Sequence, residues 1–218
     1  MISWRFVTLA ALFVTALVVS NIIAVKLAEV GGRVFDAGNI IFPLAYLLGD
    51  VLTEVYGFRA ARRVILLGFV CNVVAVVAIQ LAIRLPAADF WAENQEAYEA
   101  VLGTTWRIFV ASLCAYLVGE LTNSFVLSRM KVATRGRFLW SRTIGSSIVG
   151  QGLDSALFVT IAFAGTGAPL LDTILTTWAI KVAWEALATP ITYLVANGLK
   201  RSEGVDVFDT PAPAALRA

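Results

Sequence analysis

Asp50, Glu54, Glu120, Asp154, Lys181 and Glu185 are ionisable residues set inside otherwise apolar stretches of the chain. Helical spacing sorts them, with nearby amides and hydroxyls, into faces. Asp50 and Glu54 are four apart, as are Lys181 and Glu185; Glu120 and Asn123 are three apart; Ser147, Gln151 and Asp154 step by four and three. Carboxylates only accept hydrogen bonds and can take two adjacent N–H groups at once, an ammonium donates to a carbonyl, and an amide does both. With five acids against one lysine, either a cationic or donor-rich solute enters among them or some of the acids carry protons. Both suit a transport site for a small polar solute.

The elements that position these residues follow from composition and run length. Of 218 residues, 59% are hydrophobic and 15% charged, mean hydropathy is +0.82, and apolar runs reach the ~20 residues that cross a bilayer as a helix. The expected fold class is all-α: one polytopic membrane domain over residues 1–200 with six transmembrane helices, at about 5–28, 38–57, 62–84, 105–128, 142–165 and 172–199. A charge at the centre of such a helix costs about 2.5–3.5 kcal/mol on insertion scales. The six ionisable groups must therefore be paired, protonated or solvated. Asp154 and Glu185 fall near mid-span and Asp50, Glu120 and Lys181 within about a turn of it; Glu54 lies nearer one end, close to Arg59, and has the blandest role.

Basic residues gather on one side: Arg59, Arg62 and Arg63, then Arg129, Lys131, Arg135, Arg137 and Arg142, then Lys200 and Arg201. The opposite connection carries Asp89, Glu93, Glu96 and Glu99. The positive-inside rule then makes both termini cytoplasmic. Trp4, Trp106, Trp140 and Trp178 are expected as interfacial anchors, and Phe90, Trp91 and Tyr98 in the segment 86–103 suggest a short interfacial helix or ordered loop. Residues 201–218 turn polar and then Pro/Ala-rich, as in a flexible cytoplasmic tail.

Smaller signals refine this picture. The first run is too long for a secretory h-region and lacks a small-x-small cleavage site, so it stays as the first span. Cys71 and Cys114 fall in apolar runs and read as packing residues; histidine is absent, and no metal or cofactor is expected. Pro43 most simply opens the second helix, although an unwound entry is the alternative. Gly145, Ser146, Gly150 and Gly152 leave room for close helix packing. Ala45-Tyr46-Leu47-Leu48-Gly49-Asp50 is echoed by Ala115-Tyr116-Leu117-Val118-Gly119-Glu120, an internal similarity of the kind transporters built from repeats show.

Several segments together resemble a known family. Phe42-Pro43-Leu44-Ala45-Tyr46 leading to Gly49-Asp50 and Thr53-Glu54-Val55-Tyr56-Gly57, then Gly119-Glu120 with Asn123, Arg142-Thr143-Ile144-Gly145-Ser146-Ser147 leading to Gln151 and Asp154-Ser155, and Glu185 before Thr189-Pro190-Ile191-Thr192-Tyr193 are similar to the queuosine precursor transporters, also called the vitamin uptake transporter family. The resemblance implies a six-span bacterial inner-membrane importer of deazaguanine bases, with a small-molecule substrate, a lipid bilayer around it and no nucleic-acid partner. A guanine-like ring offers an N–H and an amino group side by side, which suits Asp154 or Glu120, and a carbonyl that Lys181, Asn123 or Gln151 can meet. Tyr46, Tyr116 or Trp184 can stack on the base, and Asp50 and Glu185 are candidates for a cationic aminomethyl group or a transported proton. An intramembrane protease finds no histidine to work with, so an enzyme is not expected. A substrate-binding subunit of an ATP-driven vitamin-type system is the closer alternative; having no P-loop here, it would need an energy-module partner.

Overall fold

Helix start and stop signals divide the chain cleanly. Ser3 accepts the Phe6 N–H at 3.0 Å and caps α1 (Trp4–Ile23). Pro43 lies in the first turn of α2 (Phe42–Tyr56), where its missing N–H is harmless. Gly57, at φ +82°, separates α2 from α3 (Phe58–Arg84); a side chain there would meet both backbone strain and Val207. After a 3-10 turn at Asp89–Asn94 come α4 (Gln95–Leu102), α5 (Trp106–Ala133), α6 (Leu139–Phe163) and α7 (Leu170–Glu203). The computed structural model describes residues 3–24, 26–30, 33–103, 106–167 and 169–209.

Among the described residues the strands lie between α1 and α2, where β1 (Leu27–Val30) and β2 (Arg33–Asp36) pair antiparallel, Leu27 opposite Asp36 and Val30 opposite Arg33. A 3-10 turn at Ala37–Ile40 leads into α2. Two expected spans are corrected by this. The first helix ends at Ile23 rather than near 28, and the second begins at Phe42 rather than 38. The sequence carries the signal: Gly31-Gly32 between runs with valine and phenylalanine favours a hairpin over a helix. At membrane depth, non-helical backbone must find partners inside the protein. The strand pairing and the Ala37 N–H donated to the Lys26 carbonyl at 2.8 Å provide them.

α1, α3, the stretch Asp89–Ala133 and α6 are long and apolar enough to cross a bilayer. α2 has 15 residues, about 22 Å at 1.5 Å per residue, and residues 45–55 are all buried among other helices. α7 is longer, with 34 residues, and carries Pro190 inside it, which leaves the Ala186 carbonyl without its helical donor. Apolar side chains line the outside: Val70, Val74, Val77 and Leu81 form an exposed helical stripe on α3, and Leu187, Ile191 and Leu194 another on α7. Such stripes belong against lipid, which makes this a membrane protein. Since lipid is as apolar as leucine, close packing and polar contacts must hold the helices together. Phe13, Leu17, Val51, Val55 and Ile65 form the centre of the apolar packing.

Tryptophans divide in use. Trp4 and Trp140 are exposed at helix starts, whereas Trp178 donates its indole N–H to the Ile148 carbonyl at 2.9 Å and so joins α7 to α6. The Trp106 side chain lies outside the described residues. Within the segment 86–103, Trp91 and Tyr98 pack edge to face at 5.6 Å. Cys71 and Cys114 are free.

Ser3 donates to Glu203 at 2.8 Å, so the start of α1 and the end of α7 lie at the same end of the bundle. The segment after α7, expected to be a flexible tail, is instead fastened across this end as far as Asp209. Val207 N–H donates to the Val55 carbonyl at 3.1 Å, and Asp209 Oδ2 accepts from the Phe58 N–H at 2.6 Å and the Ser128 hydroxyl at 2.7 Å. Residues 210–218 lie outside the described residues. Asp209 caps α3 from a distance in sequence, so Asp209→Ala is expected to remove about 1 kcal/mol of stability and to speed limited proteolysis after Gly204. Burial opposes ionisation of Asp206, but hydrogen bonds and charge from Lys131 and Lys200 outweigh it and hold its carboxyl below the usual range. Its contribution is thus complete above the ordinary aspartate pKa of about 4 and lost as pH falls through the lowered value. Proteolysis of residues 204–209 should accelerate below that range and, in Asp206→Asn, already be fast at neutral pH.

Candidate functional site

Short α2 carries the site's first face. Because it packs against α1, α3, α5 and α7, its stripe of Tyr46, Asp50 and Glu54 has nowhere to point but inward, and all three are buried. Asn123 of α5 donates to Asp50 Oδ1 at 2.7 Å. One turn on, the Thr53 hydroxyl donates to Ser124 at 3.0 Å. Glu185 of α7 lines the same cleft as Tyr46, and Gln151 of α6 is buried. Lys181 forms its ion pair with Asp154 across the α6–α7 contact and lies over the Phe42 ring, 5.1 Å from its centroid.

Glycines make this convergence possible. A Cβ on Gly119 would stand 2.6 Å from the Asp154 Cβ, and one on Gly150 would stand 2.6 Å from the Asn123 Cβ and 2.9 Å from the Gly119 carbonyl. α5 and α6 therefore touch backbone to backbone, with Gly119 level with Asp154 and Asn123 level with Gly150 about one turn away. Gly49 does the same for Glu120, whose Oε1 lies 2.2 Å from where a Cβ would be. The two halves of the internal echo thus interlock: the glycine before Asp50 receives Glu120, and the glycine before Glu120 receives Asp154.

Asp50 Oδ2, Glu120 Oε1, Asn123 Oδ1, Gln151 Oε1 and Glu185 Oε1 are buried and accept no hydrogen bond among the described residues. Buried acceptors of this kind are costly unless a proton or a donor reaches them. Beside them lies a cleft lined by Phe42, Pro43, Tyr46, Lys181, Trp184 and Glu185. Its volume is ≈10 Å³, about enough for one water, so the open carboxylate-lined cavity expected from the sequence is closed in this conformation. A groove of ≈740 Å³ runs elsewhere, on the outer side of α7 between Trp140 and Arg201, away from the acids.

The structure separates the sequence-derived candidates. Asp50, Glu120, Asn123, Gln151, Asp154, Lys181, Glu185 and Tyr46 come together, and Trp184 stands half exposed at the cleft. Tyr116 instead donates its hydroxyl to the Ile65 carbonyl at 3.0 Å and packs in the apolar core with α3. Phe42 is an aromatic of the cleft that polar patterning passed over; its only sequence signal was adjacency to Pro43.

Toward the end that holds the termini, Glu54 anchors a second charged layer. Its side chain is fully buried and Oε1 accepts from Arg142 at 3.0 Å and Lys200 at 2.6 Å, with Lys131 at 3.8 Å. Lys131 also donates at 2.5 Å to the Glu54 carbonyl and at 2.5 Å to Asp206, while Lys200 is 2.9 Å from Asp206. Arg142, Lys131 and Lys200 had counted as loop charges, and exposed Arg59 as the neighbour of Glu54. In fact Arg142 and Lys131 are each 1% exposed and Glu54 is their shared counter-ion. Among the described residues no cluster of three or more metal-ligating side chains occurs.

Comparison with known proteins finds relatives of this chain. A curated relative from Bacillus subtilis (strain 168), named "Probable queuosine precursor transporter", is 28% identical over 193 residues, which is 86% of this chain and 83% of the relative. A protein of the same name from Haemophilus influenzae is 25% identical over 134 residues, 62% of this chain and 54% of that one. No solved structure matches. The family described as "Putative vitamin uptake transporter" matches residues 36–195, a range that takes in the charged residues of both layers except Lys200 and Asp206, and the chain belongs to that transporter family.

Proposed function

We propose that this chain is a bacterial inner-membrane importer of queuosine precursors, the deazaguanine bases, and that it crosses the membrane six times with both termini cytoplasmic. The observation that carries the reading is the surplus of buried acceptors: among the described residues Asp50, Glu120 and Glu185 form no ion pair and each has a carboxyl oxygen without a donor, and Glu185 lines a cleft with aromatic Phe42, Tyr46 and Trp184. A deazaguanine is flat, apolar on its faces and rich in N–H donors along one edge. Asp154 or Glu120 takes the adjacent N–H and amino groups, Lys181 or Gln151 the ring carbonyl, and Tyr46 or Trp184 the face of the ring. The names of the two relatives support the substrate class. The closeness of Ser3 to Glu203 supports an even number of crossings.

Entry requires the cleft between α2 and α7 to widen. The solute then competes for Asp154 with Lys181, exchanging one set of charge-assisted bonds for another. In a bacterium that cannot make the precursors, expression of this chain with precursor supplied outside should restore queuosine in transfer RNA. Asp154→Asn, Glu120→Gln and Lys181→Ala should each abolish that rescue while the protein remains inserted, assayed by membrane fractionation. Rescue at wild-type level by all three variants would overturn the site, and failure of the wild-type chain with every precursor would overturn the substrate class.

A further inference from the structure

Asp50, Glu120, Asp154 and Glu185 come from α2, α5, α6 and α7 in turn. The same four helices meet again nearer the end that holds the termini, each giving one residue to the second charged layer: Glu54, Lys131, Arg142 and Lys200. Glu54 follows Asp50 by one turn of α2, about 6 Å. Beside that turn Thr53 and Ser124, both fully buried, are joined at 3.0 Å. The small cleft next to the acids is bordered by Phe42 and Pro43, at the opposite end of α2 from Glu54. The acids thus have a cleft on one side and a packed ionic layer on the other.

Residues 204–209 fasten this layer from outside. The segment leaves α7 at Gly204, which takes φ +67°. Lys131 has three N–H bonds to give. It directs one to the Glu54 carbonyl at 2.5 Å and the other two to the segment, at the Asp206 carboxylate (2.5 Å) and the Val207 carbonyl (2.7 Å). Asp206 also lies 2.9 Å from Lys200, so that it ties α5 to α7. Val207 N–H is bonded to Val55 at the end of α2, and Asp209 to Phe58 of α3 and Ser128 of α5. Movement of the end of α7 away from the other helices must therefore break the segment's bonds and the layer's ion pairs together. Parting buried ions in a dry layer is costly, whereas ions that water reaches are hydrated and gain little from pairing. The layer is thus stable when dry and closed or when wet and open, and poor in between.

α7 also contains a place to bend. Pro190 lies between Glu185, among the acids, and Lys200, in the layer, and helices give way most readily at proline. Beyond it the outer side of α7 is open: Leu194 is 75% exposed, and a Cβ on Gly198 would meet nothing within 4 Å. Resting on the importer reading above, we propose that the Glu54 layer and residues 204–209 form the inner gate of the transporter. The solute leaves the acids toward the cytoplasm when the part of α7 beyond Pro190 carries residues 204–209 off Lys131 and the start of α3. Lys200 then leaves Glu54, and water enters the layer. Glu54, Lys131, Lys200 and Asp206 thus control release, while the acids one level away hold the solute.

The test locks the segment in place on the full-length chain carrying Cys71→Ala and Cys114→Ala. Adding Ser128→Cys and Asp209→Cys puts two sulfurs where hydroxyl and carboxylate meet at 2.7 Å. Oxidation should join them and lower uptake of radiolabelled cyano-deazaguanine into proteoliposomes about tenfold or more, since the open state is no longer populated. Reduction should restore uptake, and equilibrium binding of the same solute to the oxidised chain in detergent should be unchanged. Retained binding separates a gate from a general loss of fold. The gate is overturned if the sulfurs do not join, if the joined chain takes up solute at the reduced rate, or if it loses binding as well. It is also overturned if the reduced pair fails where its parent without the two new cysteines transports. No uptake by that parent or by the wild-type chain sinks the importer reading, and the gate with it. A second arm needs no disulfide: in the parent, Ser124→Cys lies buried beside the layer, and Asp206→Ala should speed its labelling by a charged thiol reagent about tenfold, whereas Arg59→Ala should not. Equal rates would show that the segment does not close the layer.

Discussion

Glu54→Ala is expected to destabilise the purified protein by about 3–5 kcal/mol, the range for removing one member of a buried ionic group and leaving its partners uncompensated. Glu54 is the carboxylate on which Arg142, Lys200 and Lys131 converge, and without it Asp206 alone remains among these cations. Asp206 cannot substitute: its side chain is 44% exposed, and no bond joins it to Arg142. Arg142→Ala should have a smaller effect, because Lys200 and Lys131 still neutralise Glu54. Arg59→Ala, at an exposed position, should stay within about 0.5 kcal/mol of wild type. Reversible unfolding in mixed detergent micelles provides the comparison. An effect for Glu54→Ala no larger than for Arg59→Ala would mean that the layer is ornamental to stability. Four helices meet there, since Glu54 belongs to α2, Lys131 to α5, Arg142 to α6 and Lys200 to α7, and the loss should therefore be cooperative rather than a fraying of one end.

Gly49→Ala is expected to reduce uptake of a deazaguanine at least tenfold with little change in stability. A methyl at Gly49 falls 2.2 Å from Glu120 Oε1 and 3.4 Å from Phe13 Cε2. The carboxylate is the far end of a flexible side chain, so it swings aside at small cost, and the gain in helix propensity, about 1 kcal/mol for alanine over glycine, offsets much of the strain. Melting is therefore a poor readout. Uptake is a better one, because Glu120 is displaced from the place where the proposed importer would have it meet the solute. Shortening the acid makes room, so Gly49→Ala/Glu120→Asp should transport better than Gly49→Ala alone, a coupling that independent sites would not show. Gly198→Ala, where nothing lies within 4 Å, should behave as wild type. Wild-type uptake by Gly49→Ala would show that the position of the Glu120 carboxylate does not matter to the substrate.

Much of the helical architecture is legible in the residues themselves. α3, α5 and α6 read as long apolar stretches because their outward stripes are hydrophobic and their polar residues recur at helical spacing. The hairpin was harder to read. Leu27 and Ala28 are as apolar as the residues of α1 before them, so a hydropathy count carries the first span on to 28, and Ile40 and Ile41 likewise draw the start of the second back to 38. Residues 204–209 were misread for the opposite reason: their polarity suggested solvent, but Asp206 and Asp209 are polar because they bond to Lys131, Lys200, Ser128 and the start of α3.

For the charged residues the division is sharper. Sequence alone determined that the chain is a helical membrane protein, that acids outnumber bases within its apolar stretches, and that Asp50, Glu120, Asp154 and Glu185 lie on polar faces, since each of these follows from residue type and from spacing along one helix; the family showed in the resemblance of several motifs taken together. Which acid meets which base was decided only by tertiary structure. Lys181 and Glu185 share a face of α7 four residues apart, yet Lys181 pairs with Asp154 across the helix contact. The reason is physical: partner choice depends on how neighbouring helices are rotated and how closely glycines let them approach. Gly49, Gly119 and Gly150 set those distances, and no spacing within a single helix encodes them.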